Sequence, residues 1–514
     1  MLHDESAPKP APTPPLAPLR GKTTRTLAVM ALVLAIPYLS PKLRSLRVAA
    51  LPWDAPPPEV TAPEAAPAGE NVASAPASAN VVGETALRAT ENQGTVTNAL
   101  PSEKTEAPAP DPGALAKLAG PSAVEDPTGH ALDAFFAQLA RTERKEVSAG
   151  SDAGGGAAGI TRILHYGDSV ITSDLISGTM RRRFQDRFGD SGHGFVLTAN
   201  PWEWYFHNDV VHSASEGWNI SRITGPFSGD HIYGLGGVSF HTAAGASASF
   251  ATPAKGDYGR KVSRFDVYYL EQPNGGDMEL AVAGLEPETV STRGASKASR
   301  VYTKHVPDGA AALTLRTRGN GDVRVFGVAL ERDEPGVVYD ALGANGARAR
   351  LWDQMDGAHW ADQMALRKPA LIILQYGTNE SEDGGVQVEA YTRQLGALIE
   401  KVKTGAPGAS VMVASPLDRA EKTESGGFRT RKVIVQLVEL QRKIALEHQV
   451  AFFNTYEAMG GSGSMARWVH ATPQLGSWDL THPTPAGGEM VGNLMFKALM
   501  AGYTAHVARE KNRN

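Results

Sequence analysis

The sequence predicts an α/β protein: a parallel sheet covered by helices on both faces, interrupted by an inserted antiparallel β-sandwich and preceded by an unstructured tether. Three observations carry that expectation. Apolar runs of strand length alternate with helical patterns in two separate stretches, as buried parallel strands and their crossovers do. Between those stretches long helical patterns vanish, and short alternating runs are broken by Gly, Asn, Asp and Pro, the signature of a sandwich. Ahead of both, Ala, Pro, Glu, Ser and Thr dominate, and such a segment cannot bury enough apolar area to offset the entropy of ordering it.

The chain opens with Arg20, Lys22 and Arg25, then the uncharged apolar run Leu27 to Leu39, then Lys42, Arg44 and Arg47. That run is shorter than the ~20 residues of a membrane span and contains Pro37, so residues 1–47 read as a cytoplasmic tail with a signal peptide or uncleaved signal anchor. Residues 48–125 form the tether, semi-extended by their proline content. The expected location is extracytoplasmic or periplasmic, with the chain held to the inner membrane through its N-terminal segment.

Residues 126–207 are expected to start the α/β domain. Leu132, Phe135, Phe136 and Leu139 share one helical face, and a Gly-rich loop, Gly154 to Gly159, follows. Ile160 to Gly167 is an apolar strand ending in a tight turn, with a helix through Met180 to Phe188 behind it. Residues 208–335 are the expected sandwich, with alternating runs at Val238–His241, Arg264–Tyr269 and Ala312–Arg316. Residues 336–505 resume the first pattern. The expected strands there are Ala370–Tyr376, Val411–Ser415 and Val450–Asn454, and the expected helices are Val388–Val402, Arg431–His448 and Glu489–Leu499.

Composition narrows the chemistry. A net charge of −5 over 514 residues gives no broad basic surface for nucleic acid. With no cysteine, disulfides, thiolate zinc sites and cysteine nucleophiles are all excluded. No cofactor or metal is called for.

Four short blocks carry chemistry together that none carries alone. Gly167-Asp168-Ser169 puts a serine at the carboxyl end of a buried strand, where ligands of open α/β sheets bind. Gly343-Ala344-Asn345-Gly346 follows an apolar run, and a glycine there lets a backbone N–H approach a substrate oxygen. Tyr376-Gly377-Thr378-Asn379 ends another apolar strand, and a side-chain amide in that place can donate to a developing oxyanion. Asp479-Leu480-Thr481-His482 spaces a carboxylate and an imidazole so that one orients the other. Trp202 and Trp204, with Tyr205 and Trp218, could stack on sugar rings near the domain junction or pack the insert against the rest.

Serine, glycine, asparagine, then aspartate with histidine, each at a strand end, is an order that resembles the SGNH hydrolase superfamily, also called GDSL-like esterases. The resemblance covers roughly 160–207 and 337–500. It implies a flavodoxin-like three-layer domain and a Ser-His-Asp acyl-enzyme mechanism. By position it assigns Ser169 as nucleophile, His482 as base and Asp479 as its orienter. The backbone N–H groups of Ser169 and Gly346 and the amide of Asn379 would form the oxyanion hole, with Gly343 the alternative glycine. Val170 stands where the name-giving motif has Leu, and Thr378 and Glu380 flank Asn379 in place of the usual neighbours. The stretch Phe188 to Phe195, the Tyr-Gly-Thr-Asn-Glu block and the insert look like the envelope branch that includes peptidoglycan O-acetylesterases, in which the insert resembles a carbohydrate-binding module. The expected function is hydrolysis of acyl esters, O-acetyl above all, on an envelope polysaccharide. An O-acetyltransferase using the same triad and a non-catalytic glycan-binding protein stay open as alternatives.

Overall fold

The structure, a computed structural model, describes residues 118–145, 159–383 and 385–513. The expected export segment and most of the tether lie outside the described residues, as does most of the Gly154–Gly159 loop. Among the described residues no helix is long and apolar enough to cross a membrane.

The central sheet is built from Ile160–Gly167, Gly336–Gly343, Leu371–Gln375, Ser410–Ala414 and Ala451–Phe453, all parallel. A two-residue strand, Val124–Glu125, pairs antiparallel at one edge. In space the five parallel strands run second, first, third, fourth, fifth, the doubly wound order whose reversal falls between the first and third. All their residues are buried, because helices cover both faces; that is why they read as continuous apolar runs rather than alternating ones. Asp133–Glu143, Leu175–Phe188 and Pro485–Arg513 pack on one side, and Gly357–Arg367, Val388–Gly405 and Lys432–Glu447 on the other.

Between the first two parallel strands the chain leaves to build a sandwich of two antiparallel sheets. Its core is Val196, Phe250, Val267, Leu280, Leu313 and Val325 with their neighbours. Two edges differ from the expectation. The strand Gly194–Leu197, expected in the α/β domain, pairs with Val323–Glu331 of the sandwich. Residues 118–125, placed in the tether by composition, are held to the sheet by the Val124–Glu125 pairing and by Gly120 N–H donating to Ala458 O. A short polar segment can be ordered when a finished sheet edge offers it backbone partners.

The sandwich and the sheet are joined by buried charge. Glu331, fully buried on a sandwich strand, accepts from Arg162 of the first parallel strand (2.7 and 3.0 Å), from Arg264 and from Arg367. Arg367 also forks onto Asp340 of the second parallel strand (2.6 and 2.7 Å), whose carboxylate accepts the Phe195 N–H. Burial alone would push Glu331 up, but the guanidinium groups of Arg162, Arg367 and Arg264 hold its carboxyl well below the usual range.

Candidate active site

Ser169 stands where the first parallel strand stops. Asp168 caps the short helix Ser169–Thr172, its carboxylate accepting from Val170 N–H at 3.2 Å. Ser169 is the first residue of that helix, so its N–H has no intrahelical acceptor. Gly343 explains how the next strand fits beside this turn: a Cβ there would lie 2.2 Å from Thr172 N. Gly343 therefore serves close packing. Gly346 lies further out in the turn, at φ +76° with open space around it, a backbone state that glycine adopts without steric cost.

His482 reaches Ser169 from the far end of the chain. Ser169 Oγ lies 2.8 Å from His482 Nε2, and His482 Nδ1 lies 2.6 Å from Asp479 Oδ2. The other carboxylate oxygen accepts the N–H groups of Thr481 (2.9 Å) and His482 (3.0 Å). Burial opposes the charge on Asp479, yet these bonds to the His482 ring and the two amides bring its carboxyl down to about 2. An ionised carboxylate facing Nδ1 fixes the proton there and leaves Nε2 to accept from the serine hydroxyl. Leu480, between them, holds φ +61°, a region costly for a non-glycine residue, and this bend lets Asp479 and His482 meet. The bend is pinned by Ser477 N–H to His482 O (2.8 Å), Leu480 N–H to Ser477 O (3.0 Å) and Ala420 N–H to Leu480 O (3.0 Å).

Asn379 follows the third parallel strand, so Ser169 and Asn379 flank the point where the sheet order reverses. Its Nδ2 donates to Ala347 O at 2.9 Å, which ties the Asn379 loop to the Gly346 turn. On its other side that turn is tied to the serine strand by Ala344 N–H to Gly167 O at 3.0 Å. An amide nitrogen carries two hydrogens, so a second donor remains on Asn379.

Two residues that sequence reasoning passed over hold these loops. Glu380 is buried and accepts Ala349 N–H (2.9 Å) beyond the Gly346 turn and Gly377 N–H (3.0 Å) ahead of Asn379. Burial pushes its carboxyl up to about 7. Arg419 donates to Thr378 O (2.8 Å), Ser381 Oγ (2.6 Å) and Thr481 Oγ1 (3.1 Å), bridging the asparagine loop to the histidine loop. Neither belongs to a spaced motif; Glu380's place beside Asn379 is the only sequence signal.

A cleft of about 620 Å³ opens over Ser169 and His482, walled by Ser173, Leu175, Trp204, Phe206, Asn345, Ser477, Asp479 and Pro483–Pro485. Of the aromatic residues considered for sugar stacking, Trp204 lines this cleft and is 60% exposed. Trp202 does not line it: it packs, partly buried, against the main core, as do buried Tyr205 and half-buried Trp218.

A serine hydroxyl, an imidazole and a carboxylate within hydrogen-bond reach of one another stand at one sheet rim and open on a cleft, an arrangement that ester hydrolases use. Residues 306–490 match the GDSL-like Lipase/Acylhydrolase family. The match contains Gly346, Asn379, Asp479 and His482 but not Ser169, which the inserted sandwich separates from them. The chain carries an SGNH-type hydrolase domain and is a carboxylic ester hydrolase in class. Among solved structures it is similar to one described as a peptidoglycan O-acetylesterase in action, with 22% identity, 74% of this chain and 99% of that one covered, and a TM-score of 0.62. At that identity the likeness is one of fold. A family two carbohydrate esterase from Cellvibrio japonicus (11% identity, 60% and 98% covered, TM-score 0.25) and one from Clostridium thermocellum in complex with cellohexaose (13%, 52% and 93%, TM-score 0.23) also match. No curated protein matches.

Proposed function

We propose that this chain removes acyl groups, O-acetyl above all, from an envelope polysaccharide such as peptidoglycan, with Ser169 as nucleophile, His482 as base and Asp479 as its orienter. The observation that carries the reading is the continuous chain Ser169 Oγ to His482 Nε2 to Asp479 (2.8 and 2.6 Å) opening on a cleft. His482 takes the serine proton as Oγ attacks the ester carbonyl, and the N–H groups of Ser169, Gly346 and Asn379 stabilise the oxyanion. The bond to the sugar oxygen breaks, that oxygen takes the proton from His482, and water then repeats the sequence to release acetate. The N-terminal basic-apolar-basic segment and the Pro-rich stretch behind it support an exported chain tethered to the inner membrane.

Mass spectrometry of acetate released from purified O-acetylated peptidoglycan tests this. The wild type is expected to release acetate and Ser169→Ala to release none; equal release by both overturns the assignment. An acetyltransferase would instead move label to an added sugar acceptor and release little acetate without one.

A further inference from the structure

Among the described residues, three aromatic side chains are largely exposed: Trp478 (67%), Trp204 (60%) and Phe227 (58%). Single exposed apolar residues need no explanation, but these three are not scattered. Trp204 forms part of the cleft wall over Ser169. Phe227 sits in the neighbouring loop, which Arg222 binds to the Trp204 loop by donating both to Gly225 O and to Pro201 O. Trp478 stands in the chain between Ser477 and Asp479, both of which line the cleft.

Trp478 is held there. The hairpin that carries it is closed by the Gly476–Pro483 bridge and by the same Ser477–His482 and Leu480–Ser477 bonds that set Asp479 and His482. Its backbone is thereby set by the same bonds that set Asp479 and His482. Behind it a second row continues outward: His470 meets Trp478 edge to face at 5.5 Å, and Phe428 of the hairpin Ala420–Lys422/Phe428–Thr430 meets His470 at 5.9 Å. Phe206 meets Trp204 edge to face at 6.3 Å.

We infer that Trp478, Trp204 and Phe227 form a stacking track for a polysaccharide strand that crosses the dyad, so that the enzyme acts along a polymer and holds sugar rings on both sides of the acetylated one. The inference rests on the esterase reading above and adds the binding of the strand. Sugar rings present flat C–H faces that suit exposed aromatic rings.

The test uses the full-length chain carrying Ser169→Ala, so that the polymer is bound without being consumed. Cosedimentation with insoluble O-acetylated peptidoglycan is compared after adding Trp478→Ala, Trp204→Ala, Phe227→Ala, or Leu285→Ala on the far sandwich as a control. Each aromatic loss is expected to weaken binding about three- to tenfold, the range a lost ring contact produces, and Leu285→Ala to leave it unchanged. Trp478→Phe, which keeps a ring, should recover most of the binding; loss equal to that of Trp478→Ala overturns stacking. Unchanged binding in all three alanine variants also overturns the track. So does weakened binding to phosphatidylglycerol vesicles with none to the glycan, which would make the rim a lipid-contacting surface. Wild-type hydrolysis of p-nitrophenyl acetate that vanishes in Ser169→Ala establishes the esterase independently. If that hydrolysis is present and the aromatic effect absent, the track alone fails; if hydrolysis is absent, the esterase reading fails with it.

Discussion

The strand Ile160–Gly167 has two very different ends. Near its start, Arg162 is locked with Glu331, Arg367 and Asp340, with all four side chains 0 to 8% exposed. Just past its finish, Ser169 meets a His482–Asp479 pair whose side chains are 40% and 49% exposed. Both ends use ion pairs and hydrogen bonds, but to opposite purpose. A buried charge stripped of its partner is costly, so the inner cluster specifies how sandwich and sheet dock. An exposed pair contributes little stability and can change its proton without disturbing the fold. Rigidity is concentrated below the rim, leaving the rim free for chemistry.

That contrast can be broken from either end. The largest effect is expected from Ser169→Ala, which should lower ester hydrolysis by on the order of 10⁴ or more while the thermal midpoint barely moves; paired kinetics and melting curves measure both. Glu331→Gln should do the reverse. It takes away the carboxylate partner of Arg162 and one of the partners of Arg264 and Arg367, and should cost about 3–5 kcal/mol in urea unfolding, with turnover per folded molecule preserved.

Glu380 lies between the two extremes, a buried carboxyl at the rim, and sharpens the comparison through pH. Its folded value is raised to about 7 against 4.5 for the free group. Between about pH 4.5 and 7 the folded state holds the proton and the unfolded state does not, so stability falls as pH rises through that window. Glu380→Gln should lack this slope. The stability difference between the two proteins is expected to change by about 3 kcal/mol between pH 4 and pH 8, followed by denaturant titration. A constant difference would mean that Glu380 titrates normally.

How much of this was legible in the sequence follows the same division. Buried parallel strands are continuous apolar runs, so Ile160–Gly167 and Leu371–Gln375 were readable, and with them the places of Ser169 and Asn379 at strand ends. The sandwich strands Val238–Thr242 and Ala312–Thr317 were readable from alternation. The helix Gly357–Arg367 was not; its signal was the cap Asp356, which accepts His359 N–H at 2.8 Å, and of the residues it buries at helical spacing, His359, Gln363 and Arg367 are polar or charged, which hides the apolar face of Trp360 and Met364. Nor were Arg419, Glu380 and Trp478. Each acts through loops brought together only by the finished sheet, and a single residue in a loop has no period. The Arg162–Glu331–Arg367 cluster was invisible for the same reason, since its members are 169 and 36 residues apart.

Reaction with a fluorophosphonate probe, followed by mapping of the adduct by peptide mass spectrometry, tests the Ser169–His482 dyad most directly. One adduct on Ser169 is expected in the wild type, strongly slowed in His482→Ala and absent in Ser169→Ala. An unlabelled wild type, an adduct on another residue, or undiminished labelling of His482→Ala would contradict a serine activated by this histidine.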